Sequence, residues 1–283
     1  MAEPLNCQTL ILSDLHLGSR HCNIEKLLKL LEMVSPKTIF LNGDIFDSLP
    51  KISPSGALKL PIRHLQFLEK IFALTKKGVH LHVLPGNHDA FLNLLVPCFL
   101  MFDDWESALT ASDKFIYEAL DGHAYLILHG DIFTSSLKKK TGPFKSWLGD
   151  RLYGLLLSLN TLSRKLFRKE FSVRLKNSLS PVRSYFSSFK SFAVDHVAKY
   201  RFSSSTLGAG MLTPSQGTQR GREINGIICG HIHNPEIARI ALARGHDRVS
   251  VDFFLYMNSG DWVESCTGLV EHHDGTWALI YVD

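Results

Sequence analysis

The chain has 283 residues, of which 45% are hydrophobic and 20% charged, with a formal net charge of +4. This apolar share supports a buried core in one large domain, with or without an inserted element, and excludes a disordered chain. In chain order, Thr9 to Leu12 is a short apolar run that ends in Ser13-Asp14-Leu15-His16. Ile24 to Val34 carries apolar residues at helical spacing. Thr38 to Leu41 is apolar again and leads into Asn42-Gly43-Asp44. A second helical pattern covers Ile62 to Thr75. Val79 to Leu84 then leads into Pro85-Gly86-Asn87-His88-Asp89, and Ala124 to Leu128 into His129-Gly130-Asp131. Gly226 to Cys229 leads into Gly230-His231-Ile232-His233. The end of the chain, Met257 to Asp283, reads as two or three strands with Asp274-Gly275 as a hairpin turn. Buried strands that stop at polar, glycine-containing loops, with helices between the early ones, predict an α/β core.

The segment between these blocks is different. From Leu137 to Phe202 there are 15 Lys and Arg against 3 Asp and Glu, whereas the remainder of the chain is net acidic. Phe144, Leu148, Leu152, Leu155, Leu156, Leu159 and Leu162 follow steps of three and four and predict a helix. Further helices are expected over Arg168 to Leu179 and Val182 to Tyr200, with Pro181 as a break, and Ser203 to Gly221 as a flexible loop. A basic insert in an acidic body suggests an anionic partner: acidic lipid, a phosphorylated substrate or nucleic acid. Interleaved aromatics such as Tyr153, Phe167 and Phe171 keep base stacking open. The leucine stripe fits either a lipid groove or the core of a helical hairpin.

Residues 1–7 have no basic stretch followed by an apolar one, so no secretory signal is expected. The longest uncharged apolar run, Leu152 to Ser163, is shorter than the ~20 residues a spanning helix needs. The five cysteines are scattered without a CxxC pair, which points to a reducing cytosol and away from a disulfide framework.

Metal-type ligands stand at all five strand ends. Asp14 and His16 are two apart, as are His231 and His233, while Asp44, Asn87 and His129 stand singly. Carboxylate, imidazole and amide oxygen together suit a divalent transition ion, and seven ligands suit two ions sharing a carboxylate better than one. Asp47 and Asp131 lie in the same blocks and read as loop braces. The remaining histidines, among them His64 and His82, read as ordinary surface or core residues.

Five blocks in this order, D-x-H, G-D-x-x-D, G-N-H-D, H-G-D and G-H-x-H, resemble those of the calcineurin-like metallophosphoesterases. That resemblance covers the chain except for the basic insert. It implies a four-layer α/β/β/α sandwich carrying two divalent ions, Mn²⁺ first, with Fe²⁺ or Zn²⁺ as alternatives. Asp14, His16 and His233 would bind one ion, Asn87, His129 and His231 the other, and Asp44 would bridge them. His88 would act on the phosphoryl group or leaving oxygen without binding metal, with Asp89 orienting it.

The insert, with Trp147-Leu148-Gly149-Asp150 and Leu155 to Asn160, is similar to that of the family's UDP-2,3-diacylglucosamine hydrolases, as is the tail Ser259 to Thr267. The similarity implies a helical cap over about 132–221 and hydrolysis of a lipid-linked nucleotide diphosphate of lipid A synthesis, while the leucine stripe on a segment dense in Lys and Arg predicts reversible attachment to the inner face of the cell membrane. The similarity also implies substrate contacts from Asn87, Asn160, Arg164, Lys176 and Asn177. The best-known members of that branch carry Arg at the position of His88, whereas His is the general family pattern. A nuclease or phosphodiesterase using the same metals is the alternative.

Overall fold

The computed structural model describes residues 3–48, 60–93, 108–134, 180–202, 224–243 and 251–283. In order, these form β1 (Leu5–Leu12), α1 (Ile24–Met33), β2 (Val34–Asn42), α2 (Ile62–Thr75), β3 (His80–Leu84), β4 (Leu109–Ala111), β5 (Lys114–Glu118), β6 (Ala124–Leu128), α3 (Ser180–Phe202), β7 (Ile224–Cys229), β8 (Glu236–Ala243), β9 (Val251–Asn258), β10 (Thr267–Glu271) and β11 (Trp277–Tyr281).

The strands make two sheets, ordered β11-β10-β1-β2-β3-β4 and β5-β6-β7-β9-β8. Strands β1 to β4 are parallel, and so are β6, β7 and β9. A parallel neighbour requires a crossover, which α1 supplies between β1 and β2 and α2 between β2 and β3. Side chains alternate across each strand. Leu10 and Leu12 of β1, with Ile39 and Leu41 of β2, pack against Leu27, Leu30, Phe67 and Ile71 of the two helices. Between them, Ile11 and Phe40 face the other way, against Ile127, Ile228 and Met257 of the second sheet. Both faces of these central strands are therefore covered, which is why they read as continuous apolar runs.

The far side of the second sheet is closed by α3. Phe189, Ala193 and Val197 are buried against Leu126, Leu128, Ile227 and Phe254. The order of layers is helix, sheet, sheet, helix, as the family resemblance implies. The sequence places this helix in a cap; here it is the outer layer of the sandwich. Pro181 sits in its first turn, where a missing N–H costs nothing. The leucine stripe from Leu148 to Leu162, the predicted helix over Arg168 to Leu179 and the loop over Ser203 to Gly221 lie outside the described residues. Among the described residues, no helix is long and apolar enough to cross a membrane.

Candidate metal centre

The loops after β1, β2, β3, β6 and β7 all emerge at the carboxyl ends of parallel strands, and they meet there. Asp14 N–H donates to Gly43 O (3.0 Å), His16 N–H to Asp44 O (2.9 Å) and Gly230 N–H to His129 O (3.0 Å). Six non-glycine residues among those described have positive φ, and five of them are Asp14 (54°), His16 (49°), Asp44 (50°), His231 (69°) and His233 (52°). Left-handed backbone costs a residue with a Cβ roughly 1–2 kcal/mol. Such strain persists only where the surroundings impose it, and it gathers at functional sites. Here it turns both members of each Asp-x-His and His-x-His pair inward.

The two buried carboxylates are used alike. Asp14 Oδ2 accepts the His231 N–H (2.8 Å), and Asp44 Oδ1 accepts the His88 N–H (2.9 Å). The other oxygen of each faces an imidazole: Asp14 Oδ1 is 3.1 Å from His233 Nε2, and Asp44 Oδ2 is 3.4 Å from His129 Nε2. Asp14 Oδ1, His16 Nε2, His129 Nε2 and His231 Nδ1 are buried and make no hydrogen bond. Buried polar atoms are normally paired, so this cluster of orphans needs a partner. Ligand atoms from Asp14, His16 and His233 lie within 4.8 Å of one another, and so do those from Asp44, His129 and His231. Two ligands each ~2.1 Å from one ion sit ~3.0 Å apart at a right angle and ~3.4 Å apart at the tetrahedral angle. The observed separations and the donor set therefore fit two divalent ions.

The sequence model described as calcineurin-like phosphoesterase matches residues 8–235. The chain belongs to the calcineurin-like phosphoesterases. It is also 30% identical over 137 residues to the UDP-2,3-diacylglucosamine hydrolase of Porphyromonas gingivalis (strain ATCC BAA-308 / W83), a match that covers 45% of this chain and 47% of that protein. The match thus spans about half the length of that relative. Two solved structures resemble this calcineurin-like phosphoesterase with a TM-score of 0.37 each. The phosphoesterase Yfce from E. coli is 14% identical, over 97% of this chain and 99% of that one. The phosphopantetheinyl hydrolase PptH from Mycobacterium tuberculosis is 11% identical, over 93% and 92%. The family implies divalent metal ions, in agreement with the donor set.

In this phosphoesterase, electrostatics draw positive charge to the site. Burial alone would raise the Asp14 carboxyl, but His233, His129 and His16 outweigh it and hold the group well below the ordinary carboxylate value. Burial likewise opposes ionisation of Asp44, and the neighbouring His129 imidazole overcomes it. Burial disfavours the charged form of His129 too, yet Asp44 and Asp14 push its pKa up to about 9. His231, desolvated and beside His129, falls to about 4. Two carboxylates in a dry cleft favour positive charge there, and a divalent ion held by these residues would supply it in place of a proton.

Behind the ligands stand residues whose roles the motif order does not reveal. His129 donates from Nδ1 to Asn42 O (3.0 Å). His16 Nδ1 is 3.3 Å from Asp47 Oδ1, so Asp47 does more than brace a loop: it faces a ligand ring. His233 Nδ1 is 3.8 Å from Asp261 Oδ1, in the tail segment Ser259 to Thr267. Asp261 is buried and accepts from the backbone N–H groups of Val263 (2.8 Å), Glu264 and Ser265 (3.2 Å). Carboxylates and carbonyls behind imidazoles fix tautomer and tilt.

Asp89 does not orient His88. Its Oδ2 accepts the N–H groups of Ile45 (2.6 Å) and Phe46 (3.1 Å), and its Oδ1 that of Gly86 (2.6 Å). Through these three bonds Asp89 ties the β2 loop to the β3 loop. His88 instead donates from Nδ1 to Asp47 O (2.8 Å), and the residue is exposed at the site. One His88 nitrogen also lies within 4.8 Å of ligand atoms on His16 and Asp44. Asn87 is exposed between Gly86 and His88 in the same loop. Asn160, Arg164, Lys176 and Asn177 lie outside the described residues.

Proposed function

We propose that the protein is a two-metal phosphoesterase that hydrolyses the diphosphate of UDP-2,3-diacylglucosamine to UMP and 2,3-diacylglucosamine 1-phosphate, working at the inner face of the cell membrane with Mn²⁺. The observation that carries the hydrolase reading is the convergence of five left-handed ligand residues on a cluster of orphaned buried donors and acceptors. Asp14, His16 and His233 would hold one ion, Asn87, His129 and His231 the other, with Asp44 between them. When bound, two such ions lower the pKa of a water nucleophile and offset charge on the phosphoryl oxygens. The chain's own part is to hold the ligand loops rigid, through the Asp89 carboxylate and the strand-end backbone bonds. His88 faces the entrance and, as imidazolium, stabilises charge on the phosphoryl oxygens or protonates the departing oxygen. Support for the lipid nucleotide comes from the partial likeness to the Porphyromonas hydrolase. The apolar stripe and +12 charge of the segment Leu137 to Phe202 suit an anionic bilayer surface.

The test is a side-by-side assay of the Mn²⁺-loaded protein on the lipid nucleotide, on bis-p-nitrophenyl phosphate and on single-stranded DNA. Preference for the lipid nucleotide, with salt-reversible sedimentation on anionic vesicles, supports the reading. Turnover of DNA with a salt-sensitive gel shift replaces it with a nuclease.

A further inference from the structure

At one residue, helix α3 reaches the metal centre. His231 Nδ1 is buried without a hydrogen bond, while Nε2 lies 2.8 Å from Thr134 Oγ1. A neutral imidazole carries its proton on one nitrogen and a lone pair on the other. A proton on Nδ1 would be a buried donor with no acceptor at hydrogen-bond distance. Nε2 therefore carries it and donates to Thr134 Oγ1, leaving the Nδ1 lone pair unused, and one His231 nitrogen lies within 4.8 Å of ligand atoms on Asp44 and His129. Thr134 lies in helical backbone, described over 131–134, that follows the β6 loop. Its Oγ1 is in turn 3.3 Å from the hydroxyl of Tyr185 on α3. One turn further along α3, Phe189 stacks on the His231 ring, with centroids 6.3 Å apart and planes 25° apart. Phe189 has room because residue 130 is glycine: a Cβ there would lie 2.9 Å from Phe189 Cζ. The ring is thus pinned on one edge by Thr134 and on one face by Phe189, both joined to the same helix.

We propose that Thr134, which lies outside the ligand set and outside all five sequence blocks, is a positioning residue that fixes the tautomer and tilt of His231 and couples this ligand to α3. The inference rests on the two-metal reading. Apoprotein of the full chain, as wild type, Thr134→Val, Thr134→Ala, Thr134→Ser and Tyr185→Phe, is titrated with Mn²⁺ and with Co²⁺. Calorimetry reads the stoichiometry and each dissociation constant, the Co²⁺ visible band reads ligand geometry, and circular dichroism checks the fold. The wild type should take two ions. Thr134→Val should weaken one of them by about 10- to 100-fold, the range seen when a contact behind a metal-bound histidine is lost. The other ion should be unaffected, and Thr134→Ser, which keeps the hydroxyl, should restore both. Thr134→Ala is the second hydroxyl-free variant in case valine does not fold. Wild-type affinity for both ions in the folded hydroxyl-free variants overturns the proposal. So does a Thr134→Ser protein as weak as Thr134→Val, which would make the role one of methyl packing. A loss in Tyr185→Phe as large as in Thr134→Val also overturns it, because the role then belongs to Tyr185. A wild type that takes up neither ion is a separate result and brings down the two-metal reading itself.

Discussion

Replacing Gly86 with alanine adds one methyl group where the β3 loop passes the metal centre. That methyl would lie 2.3 Å from Asp44 Oδ1, 2.4 Å from Asp44 N and 2.9 Å from His129 Nε2. Ordinary contact begins at 3.4 Å, so one of the two loops must retreat by about 1 Å. Asp44 has little freedom to yield. Its carbonyl accepts the His16 N–H, and its Oδ1 accepts the N–H of His88, two residues from the substitution. The φ of Gly86 is outside the left-handed region, so alanine's backbone is unstrained and the effect is one of contact alone. Overpacking of this kind costs about 1–3 kcal/mol of stability. A 1 Å displacement of a positioning group costs about 10²-fold in rate. Gly122→Ala is the matched control: its φ is +80° and nothing lies within 4 Å of its Cβ. It should lose roughly 1–2 kcal/mol through backbone strain and keep its metal and its turnover. The assay reads Mn²⁺ content, kcat on bis-p-nitrophenyl phosphate and the thermal midpoint on the same samples. A Gly86→Ala protein with wild-type metal content and kcat would refute the argument.

Asp44→Ala should remove metal and activity together, since one of its oxygens faces His129 and the other bonds the His88 loop; two ions still bound with full turnover would end the bridging assignment. His88→Ala should lower kcat by about 10²- to 10⁴-fold with metal content unchanged, whereas loss of an ion would make His88 a ligand. Burial between Phe40 and Phe115, helped by His80, lowers the His82 pKa from 6.5 to about 4. The folded state thus binds this proton less readily than the unfolded one. The stability at stake is intact above pH 6.5 and is lost as pH falls toward 4, by up to about 3 kcal/mol. The urea midpoint of His82→Gln should fall less than that of the wild type between about pH 7.5 and about pH 4.5; equal falls would remove His82 as the cause.

The series of Asp, Asn and His residues at the strand ends was legible in the sequence because each block is local. A short apolar run followed by a glycine-containing polar loop needs no distant partner to be recognised, and β6 and α2 keep the bounds read from their patterns, Ala124 to Leu128 and Ile62 to Thr75. β8 was not legible. Glu236 to Ala243 contains Glu, Arg, Leu and three Ala, good helix formers, and becomes a strand by pairing along its whole length with β9. Strand β5 is likewise defined by pairing with β6. The place of α3 depends on Phe189 meeting Leu126 and Ile227 across long separations, which a basic composition cannot reveal. In the site, the residue types were readable from their order, but their supports were not. Asp47 faces His16, Asp261 faces His233 and Thr134 bonds His231, contacts that join residues 28 to 97 positions apart. The left-handed turns at Asp14, His16, Asp44, His231 and His233 run against local preference. Periodicity and motif spacing record which segments are buried and which residue types stand at strand ends. Which carbonyl or carboxylate stands behind each imidazole is decided only when the two sheets pack and their loops bond to one another.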